Sequence, residues 1–368
     1  MPRRRLSQTA APGVTDATLA ASFAPALVAW QKQHGRHDLP WQRKRDAYSV
    51  WLSEIMLQQT QVSAVIPYYQ RFLERFPDVA ALAAADEDAV LALWSGLGYY
   101  SRARNLHRAA RQVVEAHGGK FPGNQDALMA LPGVGRSTAA AILVFAFGGR
   151  AAILDGNVKR VLARLCAIDG YPGEAAVAAR LWRAAEALLP EQGLRAYTQG
   201  LMDLGAAVCT RRKPRCQECP AADLCIARLE GLVAQLPAPK PRKALPQRRT
   251  TMLILLRNGE VLLEKRPPTG IWGGLWSFPE LDTDGDEIEV CAQRYGAEVE
   301  ALPALPLIAH GFTHFHLDIL PLPLRVCRWP RRTARPGQAW LPLADALGAA
   351  IPKPVRQILY ILQRDSFY

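Results

Sequence analysis

Two acids, one glycine turn and four cysteines carry the residue types and spacings in this chain that could do chemistry. Glu54 stands alone among Leu52, Ile55, Met56 and Leu57 in YSVWLSEIMLQQTQV, a stretch that reads as a helix burying most of its surface. A lone glutamate there would ordinarily take the solvent face. In an apolar site its pKa would instead rise, leaving a proton to donate near neutral pH. Asp155, in LDGNVKR, lies between an apolar run and a basic helix start near Val158. It could be that helix's N-cap, but Asn157 could cap equally well, so capping does not explain Asp155. Upstream, LPGVGRST puts Gly133 and Gly135 in a tight turn feeding a helix N-terminus. There, backbone N–H groups and the helix dipole suit a phosphate. Cys209, Cys216, Cys219 and Cys225 are spaced C-x6-C-x2-C-x5-C, with Arg211, Arg212, Lys213 and Arg215 in the first gap. Four thiolates so spaced can hold zinc or an iron–sulfur cluster.

The composition narrows what these residues can serve. At 368 residues the chain is long for one domain and comfortable for two. Its 49% hydrophobic and 21% charged residues are those of an ordinary globular protein, whereas a net charge of +12 and a pI near 9.6 suggest a polyanionic partner, most simply nucleic acid. The basic N-terminus is followed by no apolar segment of signal-peptide length. The longest apolar run, Ala139 to Phe147, is far below the roughly 20 residues of a membrane span. A cytoplasmic protein without membrane attachment is expected. Four clustered cysteines among seven then favour metal ligation over a disulfide framework.

The elements that must position the chemistry read in order as follows. Residues 1–16 form a polar, Ala/Pro-rich tail. Leu19 to Trp30 has the spacing of an amphipathic helix with Phe23, Leu27 and Trp30 on one face. His34 to Asp46 is a basic loop around Trp41, suited to contacting a nucleic-acid strand. Helices continue over residues 64–93, with breaks expected at Pro67 and Pro77. Gly96-Leu97-Gly98-Tyr99-Tyr100 then opens a basic helix with Arg104, Arg108 and Arg111 on one stripe, which suits a DNA backbone contact. A Pro/Lys/Arg linker over residues 236–249 marks a boundary. Beyond it, Thr250–Leu256 and Glu260–Glu264 read as strands joined at Asn258-Gly259, a hairpin turn.

Taken together, the glycine turn and Leu154-Asp155-Gly156-Asn157-Val158 resemble the helix-hairpin-helix and following aspartate of DNA glycosylases of the endonuclease III superfamily. Ser53-Glu54-Ile55-Met56-Leu57-Gln58-Gln59-Thr60-Gln61-Val62 resembles the active-site segment of the MutY-type adenine DNA glycosylases, whose pyrimidine-specific relatives have no acid at the glutamate position. The compact cysteine run resembles the superfamily's [4Fe-4S] loop rather than the two separated pairs of structural zinc. Residues 270–279, GIWGGLWSFP, resemble the nudix-like C-terminal domain of the same family. The stretch Ile288–Gln293 lacks the paired glutamates of a nudix hydrolase, so pyrophosphatase activity is not expected.

The resemblance spans residues 18 to about 360. It implies a mainly α helix-hairpin-helix glycosylase domain over 17–235, comprising a six-helix barrel module and an iron–sulfur helical module. An α+β nudix-like domain over 250–368 follows. It implies a monomeric base-excision enzyme removing adenine opposite 8-oxoguanine or guanine in double-stranded DNA. Glu54 and Asp155 would be catalytic; Gln59, Tyr99, Gly133, Gly135, Ser137 and Lys159 would contact DNA, and Phe312, Thr313 and His314 would read 8-oxoguanine. The four cysteines would hold the [4Fe-4S] cluster. His37 and Thr313 depart from the commoner family residues. Bifunctional relatives carry lysine at position 137; Ser137 cannot form an imine, which argues against a lyase. A non-catalytic DNA-binding scaffold is the other alternative, and the presence of both Glu54 and Asp155 argues against it.

Overall fold

The computed structural model describes residues 16–241, 244–281, 285–330 and 335–364. Residues 1–15 of the tail and 242–243 of the linker lie outside the described residues; Asp16 already belongs to a helix and Gln247 to a strand. Packing divides the chain into two units, Met1–Gln70 with Ala109–Pro241, and Arg71–Arg108 with Arg242–Tyr368.

The first unit is helical. Helix Asp16–His34 buries Leu19, Phe23, Ala24 and Leu27 against helix Leu194–Asp203. Gly200 permits this approach, because a Cβ there would lie 3.1 Å from the Leu27 and Gln31 side chains. Helix Ala47–Leu57 is capped by Asp46, which accepts from the Ser49 backbone at 2.9 Å and its hydroxyl at 2.7 Å. Eight of its eleven residues are buried, as its composition requires. Helix Val62–Arg75 runs through Pro67 without a break. Val65 and Tyr69, buried on the part of this helix that belongs to the first unit, hold it together where the proline removes a donor. The apolar run after the glycine turn forms helix Arg136–Ile142 and a π-helical turn, Leu143–Phe147.

In the second unit, β1 (Gln247–Arg257) and β7 (His316–Arg328) pair in parallel at the middle of a mixed sheet. The other strands are β2 (Glu260–Lys265), β3 (Trp276–Ser277), β4 (Glu280–Leu281), β5 (Glu298–Ala301), β6 (Ile308–Gly311) and β8 (Gln338–Pro342), and the order along the main path is β3-β2-β1-β7-β5. The β1–β2 turn forms at Asn258-Gly259, both with positive φ, as a two-residue hairpin requires. Leu253, Leu255 and Leu262 pack with Cys291 and Tyr295 of helix Glu287–Tyr295. Met252 and Ile254, equally buried, face the other side by strand alternation. A helical part, Glu87–Trp94 and the turn after it, is tied into this unit by polar contacts. Lys265 pairs with Asp88 at 2.7 Å, Ser95 donates to the Ile351 carbonyl at 2.7 Å, and Arg104 donates to the Gly273 carbonyl. Arg104, half-buried, thus spends one of its donors within this unit.

Candidate active site and nucleic-acid interface

Glu54 sits on the last turn of helix Ala47–Leu57, half-buried where two cavities of the first unit meet. One, of about 330 Å³, is lined by Arg36, His37, Trp41, Arg45, Phe145 and Gln199 among others. Its size falls at the lower end of the roughly 300–1,000 Å³ of small-molecule sites. The second, of about 720 Å³, shares Arg36, Glu54, Leu57, Val62 and Met202 with the first and adds Gln59, Ser137 and Asp155. Burial, reinforced by the negative charge of Asp155, pushes the Glu54 carboxyl up to about 8.

The helix after Asp155 begins at Gly156, and Asp155 is its N-cap, accepting from the Val158 N–H at 2.7 Å. The sequence alone leaves Asn157 as an equal candidate; its Oδ1 instead accepts from Arg160 at 2.8 Å. Capping and a catalytic role are therefore compatible, because a carboxylate has a second oxygen for the cavity. Burial raises the Asp155 pKa, opposed by the Val158 and Asn157 N–H groups and by Arg160 and Lys159. The two acids share an environment that keeps a proton on one of them, and the cap and cations favour the charge on Asp155.

Ser137 accepts from the Leu154 N–H at 2.9 Å, so its hydroxyl holds the segment that delivers Asp155. Gln59 is exposed, with a left-handed backbone (φ 58°), on the wall of the larger cavity. Gly133 (φ 79°) and Gly135 are exposed in the turn before helix Arg136–Ile142. Lys159 lies in a third cavity with Arg160, Arg164, Arg211, Arg212 and Lys240. This is a concentrated basic surface.

The stretch from His34 to Asp46, read from sequence as a loop throughout, contains a helical element. Pro40–Arg43 is a helical turn with Trp41 buried edge-on to Tyr69. Arg36, His37, Leu39, Gln42 and Arg45 wall the smaller cavity, with His37 and Arg45 still exposed. Spacing offers no signal for Phe145, Arg195 and Gln199, which reach this cavity from distant elements.

Cys209, Cys216, Cys219 and Cys225 converge on one cavity, all as free thiols. Among the described residues no group of three or more His, Cys, Asp or Glu side chains is placed to hold a metal ion. The thiols surround a space, and Arg164 donates to the Cys209 Sγ at 3.3 Å. That donor set fits a multinuclear thiolate-held group. Arg211, Arg212, Lys213 and Arg215 lie exposed on the loop that the cysteines anchor.

In the second unit, Tyr99 is exposed at φ 50°, with the Arg102 guanidinium 5.4 Å from its ring centre. Phe312, Thr313 and His314 form the tip between β6 and β7, closed by the Phe312 N–H to the Phe315 carbonyl at 2.9 Å. Phe312 lies between Trp272 (5.5 Å) and Phe315 (4.5 Å, stacked), while Thr313 and His314 are exposed. Phe315, just before β7, and Leu317 within it are buried.

Residues 52–187 match the family model of the HhH-GPD superfamily base excision DNA repair proteins, and residues 250–360 match that of the NUDIX domain. The adenine DNA glycosylase of Buchnera aphidicola subsp. Schizaphis graminum is 35% identical over 93% of this chain and 99% of its own length. The chain belongs to the adenine DNA glycosylase family. It is therefore an enzyme of the class that hydrolyses N-glycosyl bonds. The human adenine DNA glycosylase is 34% identical, covering 95% of this chain and 75% of its own. Among solved structures, a thermostable thymine-DNA glycosylase is 30% identical with a TM-score of 0.52, covering 58% of this chain and 98% of its own. A non-covalent endonuclease III–DNA complex, at 21% identity and a TM-score of 0.51 over 60% and 99% of the two chains, shares the fold of the helical part. Among the described residues no helix is long and apolar enough to cross a membrane.

Proposed function

We propose that the protein is a monofunctional repair glycosylase that removes adenine mispaired with 8-oxoguanine, or with guanine, from double-stranded DNA. The observation that carries this reading is a glutamic acid held protonated near neutral pH at the mouth of a base-sized cavity, with a carboxylate beside it. Adenine leaves poorly as an anion, so cleavage of C1′–N9 requires a proton on the base and stabilisation of an oxocarbenium-like sugar, as in glycosidases. Glu54 protonates N7, the C1′–N9 electron pair passes to the departing base, and ionised Asp155 faces the cation. Glu54, now a base, takes a proton from the water that attacks C1′. Ser137 offers no amine for an imine, so hydrolysis rather than strand cleavage completes the reaction.

Reaching this geometry requires the nucleotide to leave the duplex. Tyr99 and Gln59, both exposed with left-handed backbones, suit the wedge and intercalating contact that fill the gap. The amides at Gly133 and Gly135 suit one phosphate, and Lys159 with Arg211, Arg212 and Lys240 suits others. Cys209, Cys216, Cys219 and Cys225 would hold a [4Fe-4S] cluster, which when bound orders the loop carrying Arg211 to Arg215. Phe312, Thr313 and His314 would read the opposite base. The division into a glycosylase domain over 17–235, a connector over 236–249 and a reading domain over 250–368, acting as a monomer, belongs to the same proposal. The test is release of free adenine, without strand cleavage, from a duplex containing one adenine opposite 8-oxoguanine. Absence of release, or efficient borohydride trapping of a covalent adduct, would overturn it.

A further inference from the structure

One buried acid in the first unit is used by none of these steps. Asp203, at the end of helix Leu194–Asp203, is 1% exposed. Its carboxylate accepts three hydrogen bonds: from the Arg36 backbone N–H at 3.0 Å, from Arg36 Nε at 2.7 Å and from Gln199 Nε2 at 2.9 Å. Both partners line the cavity that Glu54 closes, and Arg36 lines the larger one as well. The approach is close enough that a Cβ on Gly35 would lie 2.5 Å from the Gln31 carbonyl and 3.0 Å from Asp203 Oδ2. Gln42 Nε2 fixes the Arg36 carbonyl at 3.0 Å. Arg36 is therefore held at both ends of its backbone and at Nε, and among the described residues no group takes its Nη nitrogens.

Arg36 is paired with Asp203 and shares these cavities with two further acids, Glu54 on both walls and Asp155 on that of the larger. A guanidinium paired with Glu54 would favour the ionised carboxylate and remove the proton that the reaction needs. We propose that Asp203 is a positioning residue that claims the Arg36 charge through Nε, leaving both Nη groups for acceptor atoms of the extruded base and keeping Arg36 from pairing with Glu54. The other charged or titratable groups facing Glu54 are Asp155 from the start of helix Gly156–Leu165, His37 and Arg45 from the segment before its own helix, and Arg195 from helix Leu194–Asp203. Of these, Asp155 raises the Glu54 pKa.

The inference rests on the proposed adenine-excising reaction, and its test separates the two. Single-turnover adenine release from an adenine:8-oxoguanine duplex is followed against pH for the wild type, Asp203→Asn and the double variant Asp203→Asn/Arg36→Gln. A freed cation near a carboxyl lowers its pKa by about 1–3 units. The basic limb of the Asp203→Asn profile should therefore move to lower pH by that amount, with a loss of about 5- to 500-fold at pH 8 that recovers as pH falls. The double variant, lacking the freed cation, should return the limb to its wild-type position. An unmoved limb in folded, DNA-binding Asp203→Asn, or a limb still shifted in the double variant, overturns the inference. If Asp203→Asn does not fold, Arg36→Gln alone decides. It should slow release about 10- to 100-fold at every pH with the limb unmoved, and wild-type rates overturn the proposal. Wild-type protein that releases no adenine refutes the reaction itself rather than the role of Asp203.

Discussion

At the scale of residues, Glu54 is costly to fold around and useful for the same reason. Its carboxyl is pushed from 4.5 to about 8, chiefly by burial. A carboxyl with a raised folded-state pKa binds its proton more tightly in the native than in the unfolded chain. Stability from this group is thus fully present below about pH 4.5 and is lost as pH rises through 8. Glu54→Gln should remove that loss, so the variant's melting temperature should exceed the wild type's by more at pH 9 than at pH 5, read by calorimetry at both values. The same substitution removes the proposed proton donor. Excision should fall by at least the roughly 10²- to 10⁴-fold of general acid catalysis while mispaired duplex is still bound. Near-wild-type single-turnover release would refute the assignment. In the wild type, excision should decline above about pH 8, tenfold per unit, as Glu54 ionises.

Among the elements, the cysteine loop has the clearest division between what holds and what acts. Arg164, almost fully buried, ties Cys209 Sγ, the Thr210 carbonyl at 2.7 Å and the Leu236 carbonyl at 2.8 Å into one frame, while Arg211 and Arg212 stay exposed. Protein purified without oxygen should be brown with broad visible absorbance and contain about four irons per chain. Colourless protein with one zinc and full activity would exclude the cluster. Replacing Arg211, Arg212, Lys213 and Arg215 with glutamine should weaken binding to all duplexes alike. The slope of log affinity against log salt should fall by about 0.9 for each phosphate that the variant no longer neutralises. Titrations at several salt concentrations measure both. An unchanged slope would mean that these side chains meet no phosphate.

At the scale of the whole molecule, an enzyme that removes an undamaged base must take its selectivity from the opposite one. Thr313 and His314 project from a tip whose Phe312 is braced by Trp272 and Phe315, so they can read without being needed to fold. N7 of 8-oxoguanine donates where guanine N7 accepts, and a hydroxyl can answer the donor; such contacts discriminate by about 1–3 kcal/mol, roughly 5- to 150-fold. Thr313→Ala with His314→Ala should therefore narrow the preference for adenine opposite 8-oxoguanine over adenine opposite guanine, chiefly in binding. Excision of a pre-engaged substrate should change much less. An unchanged preference, or a uniform loss on both mispairs, would assign the reading elsewhere. The sequence by itself determined the pieces whose information is local: the Asn258-Gly259 hairpin, the apolar helix around Glu54, the cysteine spacing and, through contiguous motifs, the family. Only the tertiary structure decided what depends on distant packing. It turned the loop from Arg36 to Arg45 into a cavity wall and made Asp155 a cap whose helix starts two residues earlier than expected. It also joined residues 71–108 to the C-terminal sheet and set Asp203 behind Arg36 across 167 positions. Periodicity and motif report which face of an element is apolar; which partner that face meets is fixed by chain crossings that leave no local pattern.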